Sequence, residues 1–266
     1  VDEIRAMTIR LLALLLIACL AHGQNAIFVK RGRTDGGSGI AGVPNPTFSN
    51  PFNDGTGDTS TSTLGDDCTP MTNHAWTEDP VSSGNFTLEA DGLLTHAPCG
   101  TALDGLNDFS VSAWVNADSY GEGTIGLIVA KATDASNKSW SFFVNDLSGN
   151  GLLEFAVYNT VNAGDRFRSD ANSFDACINV WCHVVAVVSG CTAMGCSGQL
   201  YIDGSPVNTN FIDATGTRRS DGADTVRIAS YAGGTTFDGQ IDDVRVWATT
   251  VLSDAQVADL FAEGRQ

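Results

Sequence analysis

From about Cys68 onward the chain breaks into short apolar runs divided by turn-forming residues, the texture of an antiparallel β-sandwich. Residues Phe109 to Asn116 (FSVSAWVN) alternate, so Phe109, Val111, Ala113 and Val115 share one face of a strand. Ile125–Lys131, Ser139–Asn145 and Leu152–Tyr158 predict three further strands, separated by the turn-rich pieces DSYGEG, DASN and LSGNG. Val180–Val188 is apolar on both faces, which predicts an interior strand with something packed on either side. Gly198–Asp203 returns from it, Asp203-Gly204 signals a tight hairpin turn, and Thr225–Ser230 and Gln240–Trp247 complete the set. One short helix follows. Ser253 is placed to N-cap it, Gln256 three residues on completes a capping box, and Leu252 and Val257 occupy the staple positions. Gly264 ends it, and Val257, Leu260 and Phe261 share a face that predicts packing back onto the sheets.

Upstream of Cys68 this pattern vanishes. Residues 32–67 are dominated by Gly, Pro, Ser, Thr and Asp, so positions 24–67 are expected to form a flexible linker, with the folded domain at 68–266. Positions 1–23 read as a signal peptide with a short extension ahead of Met7. Arg10 gives the positive flank, Leu11–Leu20 the apolar stretch, and Ala21 and Gly23 the small residues before a cut at Gln24. The apolar run is shorter than the roughly 20 residues a bilayer span needs. An alternative is that Leu16-Ile17-Ala18-Cys19 acts as a lipobox, making Cys19 a lipid-anchored first residue at the cell envelope.

Beyond Cys19 the cysteines are even in number: Cys68, Cys99, Cys177, Cys182, Cys191 and Cys196, as expected of an exported, oxidised domain. Sequence leaves the connectivity open. Proximity favours Cys191–Cys196 across the loop CTAMGC, with Cys177–Cys182 and Cys68–Cys99 then left over. No CxxC occurs, which weighs against zinc.

Charge narrows the list of partners. Thirty-one Asp and Glu against 14 Lys and Arg give a formal net charge of −17. Phosphate backbones require clustered Lys and Arg, so nucleic acid is not an expected partner. An acidic surface is in the first place a solvated one, though carboxylates also serve as calcium ligands.

Five blocks, taken in order, carry a resemblance. They are Asp108 to Val115 (DFSVSAWV), Ile128 to Lys131 (IVAK), Trp181 to Val187 (WCHVVAV), Gly198 to Gly204 (GQLYIDG) and Gly239 to Trp247 (GQIDDVRVW), the last running into Leu252-Ser253. Their order and spacing resemble the laminin-G-like (concanavalin A-like) jelly-roll domains, over roughly residues 86 to 264. The chain departs from that pattern in its cysteines and in a shortened lead-in. The resemblance implies an all-β fold: a two-sheet antiparallel jelly-roll sandwich with one short C-terminal helix. It also implies a calcium or carbohydrate site at an edge or rim.

Catalytic motifs are missing from the sequence. The six glutamates (Glu3, Glu78, Glu89, Glu122, Glu154 and Glu263) are too dispersed for a paired-carboxylate glycosidase motif on one strand, and neither G-x-S-x-G nor H-E-x-x-H occurs. His183, inside a strand, reads as structural. Alternation puts Asp242 on the face of Val244 and Val246, an inward carboxylate that either pins a loop or, with Asp91, ligates calcium. Candidates for stacking against a sugar are Tyr120, Trp140, Tyr158 and Tyr231, close to loops rich in Asn and Asp. The expected function is a non-catalytic extracellular binding or adhesion module for carbohydrate or a protein surface. The alternatives are a structural subunit of an envelope or extracellular assembly, and a divergent polysaccharide-active enzyme.

Overall fold

The computed structural model describes residues 42–69, 71–78, 86–90, 97–101, 103–192, 194–222, 224–231 and 235–265. The expected signal peptide and Cys19 lie outside these. In chain order the strands are β1 (Phe48–Asn50), β2 (His74–Glu78), β3 (Phe86–Ala90), β4 (Ala97–Pro98), β5 (Phe109–Ala117), β6 (Ile125–Asp134), β7 (Asn137–Asp146) and β8 (Gly151–Tyr158). There follow β9 (Gly164–Ser169), a single turn at Asp175–Cys177, β10 (Trp181–Ser189), β11 (Ser197–Ile202), β12 (Ser205–Pro206), β13 (Thr209–Ile212), β14 (Thr225–Ile228) and β15 (Gly239–Trp247). Helix α1 (Asp254–Glu263) closes the sequence of elements.

These strands build two antiparallel sheets. One runs β12-β11-β10-β5-β15-β3-β2, with β1 also paired to β15; the other runs β13-β9-β8-β7-β6-β14-β4. Alternation turns one face of each sheet into a shared interior. Phe109, Val111, Ala113 and Val115 of β5 meet Trp140, Phe142 and Val144 of β7 and Leu153, Phe155 and Val157 of β8 there. The jelly-roll sandwich expected from the sequence is the fold observed. Asp203 (φ 49°) and Gly204 (φ 73°) both lie in the left-handed region, the backbone of a type I′ hairpin turn.

One expectation is corrected. Residues 42–67 were expected to be linker, yet they are part of the sandwich. Phe48 and Phe52 are fully buried, β1 pairs with β15, and the Trp247 indole donates to the Pro44 carbonyl at 2.7 Å. The segment lacks apolar periodicity because side-chain hydrogen bonds hold it. Asn50 accepts from the Phe52 amide and the Ser60 hydroxyl and donates to the Ser60 carbonyl. Farther upstream, the Gln256 amide of α1 donates to the Gly42 carbonyl at 2.8 Å.

The helix covers the outer face of the eight-stranded sheet. Its capping box forms as the sequence predicts, with Ser253 and Gln256 exchanging hydrogen bonds. Val257 and Leu260 bury a second cluster with Val185, Val187, Tyr201, Trp247 and Leu252. Beside it His183 packs against Trp114 (ring centroids 5.2 Å) and Phe261 (6.4 Å), which also stack on each other at 5.7 Å. Burial, and then the nearby Arg245 charge, hold the imidazole neutral, down to about 3 from an ordinary 6.5.

Three disulfides form, with the connectivity favoured from the sequence: Cys68–Cys99, Cys177–Cys182 and Cys191–Cys196. The first fastens the lead-in segment to the β4 edge. The second ties the Asp175–Cys177 turn to β10, and the third closes the turn from β10 to β11.

Two expected outcomes follow from these contacts. Chain-entropy arguments give about 3.7 kcal/mol for a loop of the Cys68–Cys99 span against about 2.2 kcal/mol for the Cys191–Cys196 span. Urea denaturation of the two double-alanine variants should therefore show the larger loss in the Cys68/Cys99 pair; equal losses would contradict this ranking. For His183 the unfolded chain binds a proton at pH values where the folded one does not. Its stabilising contribution is thus complete above about pH 6.5 and is lost as pH falls towards 3. Against His183→Leu, the wild type should lose up to about 1.4 kcal/mol per pH unit within that window. A difference that stays constant with pH would refute it.

Candidate functional site

The outer face of the seven-stranded sheet is where polar chemistry collects. β8 reads GLLEFAVY and β9 reads GDRFRS. Leu153, Phe155, Val157 and Phe167 go to the interior, so alternation leaves Glu154, Ala156, Tyr158, Arg166 and Arg168 outside. Glu154 stands directly across from Arg168, and Ala156 across from Arg166. The Glu154 carboxylate is fully buried and is held from three sides. Arg166 Nη1 donates to Oε1 at 3.0 Å, Arg168 Nε to Oε2 at 2.9 Å, and Asn145 Nδ2 to Oε2 at 3.1 Å. A charge removed from water requires this kind of pairing.

Lys138 joins them through a bulge. Lys131 pairs with Trp140, but the next residue, Ala132, pairs with Lys138, so Ser139 is passed over and the lysine is re-aimed. Its Nζ lies 4.5 Å from the centre of the Tyr158 ring and 5.4 Å from that of Tyr231. Burial, and then the Arg166 charge, push the ammonium below its ordinary value. Tyr158 meets the Ser141 hydroxyl at 3.0 Å, and burial raises its phenol and that of Tyr231. The ring can lie close to the neighbouring strand because Gly164 is opposite: a Cβ there would sit 3.2 Å from it. Leu127, Ala130, Ala132, Phe143 and Ala156 complete the apolar floor.

The sequence candidates therefore separate. Tyr158 and Tyr231 come together on this face, though as largely buried rings beneath Lys138 rather than open platforms. Trp140 is no platform at all. It is fully buried in the interior against Phe109 and Phe155, because β7 alternation points it inward. Tyr120 sits apart, its hydroxyl donating to Asp175 Oδ1 at 2.7 Å and its ring against Gly151. Glu154, Arg166, Arg168 and Asn145 were missed by sequence reasoning. The signal available was the D-R-F-R alternation in β9, a strand with an apolar residue on one face and guanidinium groups on the other.

Asp242 is also placed differently from the expectation. The register jumps between Asp242–Trp114 and Arg245–Ser112, with Asp243 in the left-handed region (φ 47°). This bulge sends Ile241 and Val244 inward and Asp242 outward, under α1, so counting by twos across it fails. There the carboxylate accepts from the Asp243 amide at 2.7 Å and lies 3.9 Å from Arg265. A guanidinium at that distance opposes a divalent cation. Among the described residues no three His, Cys, Asp or Glu side chains gather as a metal site, and Asp91 lies outside those residues.

The comparisons agree with this architecture. No protein of curated function matches the chain by sequence. Among solved structures, the botulinum neurotoxin serotype D binding domain superposes with a TM-score of 0.59 at 12% identity, covering 83% of this chain and 52% of that one. The ligand-binding domain of the same serotype, in complex with N-acetylneuraminic acid, gives 0.56 at 14% identity, covering 83% and 51%. This chain thus spans about half the length of those domains. Domain 4 of AbnA, a GH43 extracellular arabinanase from Geobacillus stearothermophilus, in complex with arabinotriose, gives 0.53 at 15% identity, covering 81% and 98%. At these identities the likeness is one of fold. A family model does match in sequence, over residues 81–258, and it is described as the concanavalin A-like lectin/glucanases superfamily. By that match, which takes in most of the sandwich, the chain belongs to the laminin G-like family of this superfamily.

Proposed function

We propose that this chain is a non-catalytic extracellular module that binds carbohydrate on the outer face of the seven-stranded sheet. The observation that carries the reading is the grouping of Tyr158 and Tyr231 beneath Lys138, beside the Glu154–Arg166–Arg168 triad. Aromatic rings flanked by hydrogen-bonding side chains suit a sugar, which offers one C–H face and a rim of hydroxyls. The sugar takes the place of the lysine head over the rings. Two solved structures of like fold are complexes with N-acetylneuraminic acid and with arabinotriose, which favours the same class of ligand. Both oxygens of Glu154 are engaged by guanidinium groups, which leaves this carboxylate poorly placed to attack or protonate a glycosidic bond. Three disulfides favour an oxidising, extracellular setting.

A second reading, an assembly subunit, is favoured by the edge strand β13. Phe211 and Ile212 on it are 46% and 42% exposed, and β9 is its one partner in the sheet. Sedimentation separates the two readings, since an assembly subunit self-associates at micromolar concentration.

A glycan array followed by titration calorimetry tests the main reading. The disulfide-intact protein should bind at least one glycan without cleaving it, and Tyr231→Ala should weaken that binding about tenfold, roughly the worth of one aromatic contact. Failure of the folded protein to bind any glycan would sink the proposal.

A further inference from the structure

The same face points to the class of sugar. We infer that the ligand is an acidic saccharide, whose carboxylate or sulfate is received by Arg166, Arg168 and Lys138 while its ring rests on Tyr158 and Tyr231. This rests on the carbohydrate reading above and narrows it.

The argument begins with charge. On a chain of net charge −17, basic side chains are scarce, yet this face pairs two of them with one carboxylate and sets a third over the neighbouring tyrosine rings. One guanidinium balances the charge of Glu154. Here there are two, and each spends one nitrogen on it: Nη1 of Arg166 and Nε of Arg168. Among the described residues neither arginine has another acidic partner, and Lys138 has none. Glu154 therefore acts as a positioning residue, anchoring two forks whose remaining N–H groups are free for a second anion. The arginine side chains keep 36% and 22% of their surface exposed, so a ligand can reach them.

Lys138 adds an independent observation. Its Nζ sits over the Tyr158 and Tyr231 rings, on the same face of the sheet as the two arginines. An acidic group on a sugar lying over those rings meets cations from two strands, which a neutral sugar does not exploit.

The test is an array that pairs each acidic glycan with a neutral counterpart of the same backbone: oligogalacturonate with its methyl ester, and a sulfated galactan with its desulfated form. The first pair reports carboxylate recognition, the second sulfate. At least one acidic member should bind about tenfold or more tightly than its partner, as expected for a charge-assisted contact. That preference should shrink as salt is raised from about 50 to about 500 mM. Arg166→Gln should abolish it. Lys138→Gln, which leaves the Glu154 triad untouched, should reduce it as well, with a urea midpoint unchanged from wild type showing that the loss is not one of folding. Equal binding of acidic and neutral members, or a preference that survives both substitutions, overturns the inference and leaves the carbohydrate reading standing. Absence of binding to every member of both kinds overturns both.

Discussion

Each strand of a two-layer sandwich must divide its side chains between a shared dry interior and an outer face, and the period of two makes that division rigid. In this chain β-bulges reset it where the chemistry lies. On β7, passing over Ser139 brings Lys138 onto the face of Tyr158. On β15, the extra residue at Asp243 lets Ile241 and Val244 both enter the core while Asp242 turns out beneath the helix. Without these insertions the lysine would point into the Phe109–Trp140–Phe155 interior and Asp242 would be a bare carboxylate in it. The bulges thus protect the core and compose the outer faces in the same step.

The two outer faces are used differently. On the eight-stranded sheet α1 lies over the surface, and the charges beneath it cancel locally. Arg245 pairs with Asp243 and Glu263, and Arg265 faces Asp242 and stacks over Trp181 at 3.9 Å. On the seven-stranded sheet the balance is uneven, two guanidinium groups to one carboxylate, with a lysine beside them. The shape of the sandwich is common to many proteins; this imbalance belongs to the particular residues of β7, β8 and β9.

Much of the fold was legible from the sequence because burial writes itself into periodicity. The alternation of Phe109 to Val115, the two-faced apolar run of β10, the Asp203-Gly204 turn and the Ser253–Gln256 box each state their structure locally. What stayed hidden has physical causes. β1 is three residues long and is anchored by Asn50 hydrogen bonds and two phenylalanines, neither of which produces a period. β9 is mostly polar, so a search for apolar runs passes over the strand that carries both site arginines. Bulges are invisible to counting by twos, which is why Asp242 was assigned to the wrong face. Trp140 and Tyr158 are both aromatic residues of strands near turns; only the register tells which of them is interior.

The contact between Gly42 and Gln256 has a mechanical consequence. It brings the start of the described chain against the first turn of α1, a helix whose ten residues span about 15 Å. Residues 42 and 265 therefore lie within about one helix length of each other. Tension applied between them loads the Gly42 and Pro44 hydrogen bonds and the β1–β15 pairing before any strand of the interior. Behind those few contacts the Cys68–Cys99 disulfide carries the load to β4, the edge strand of the seven-stranded sheet. Force thus enters that sheet at the edge remote from β8 and β9, which carry the arginine face.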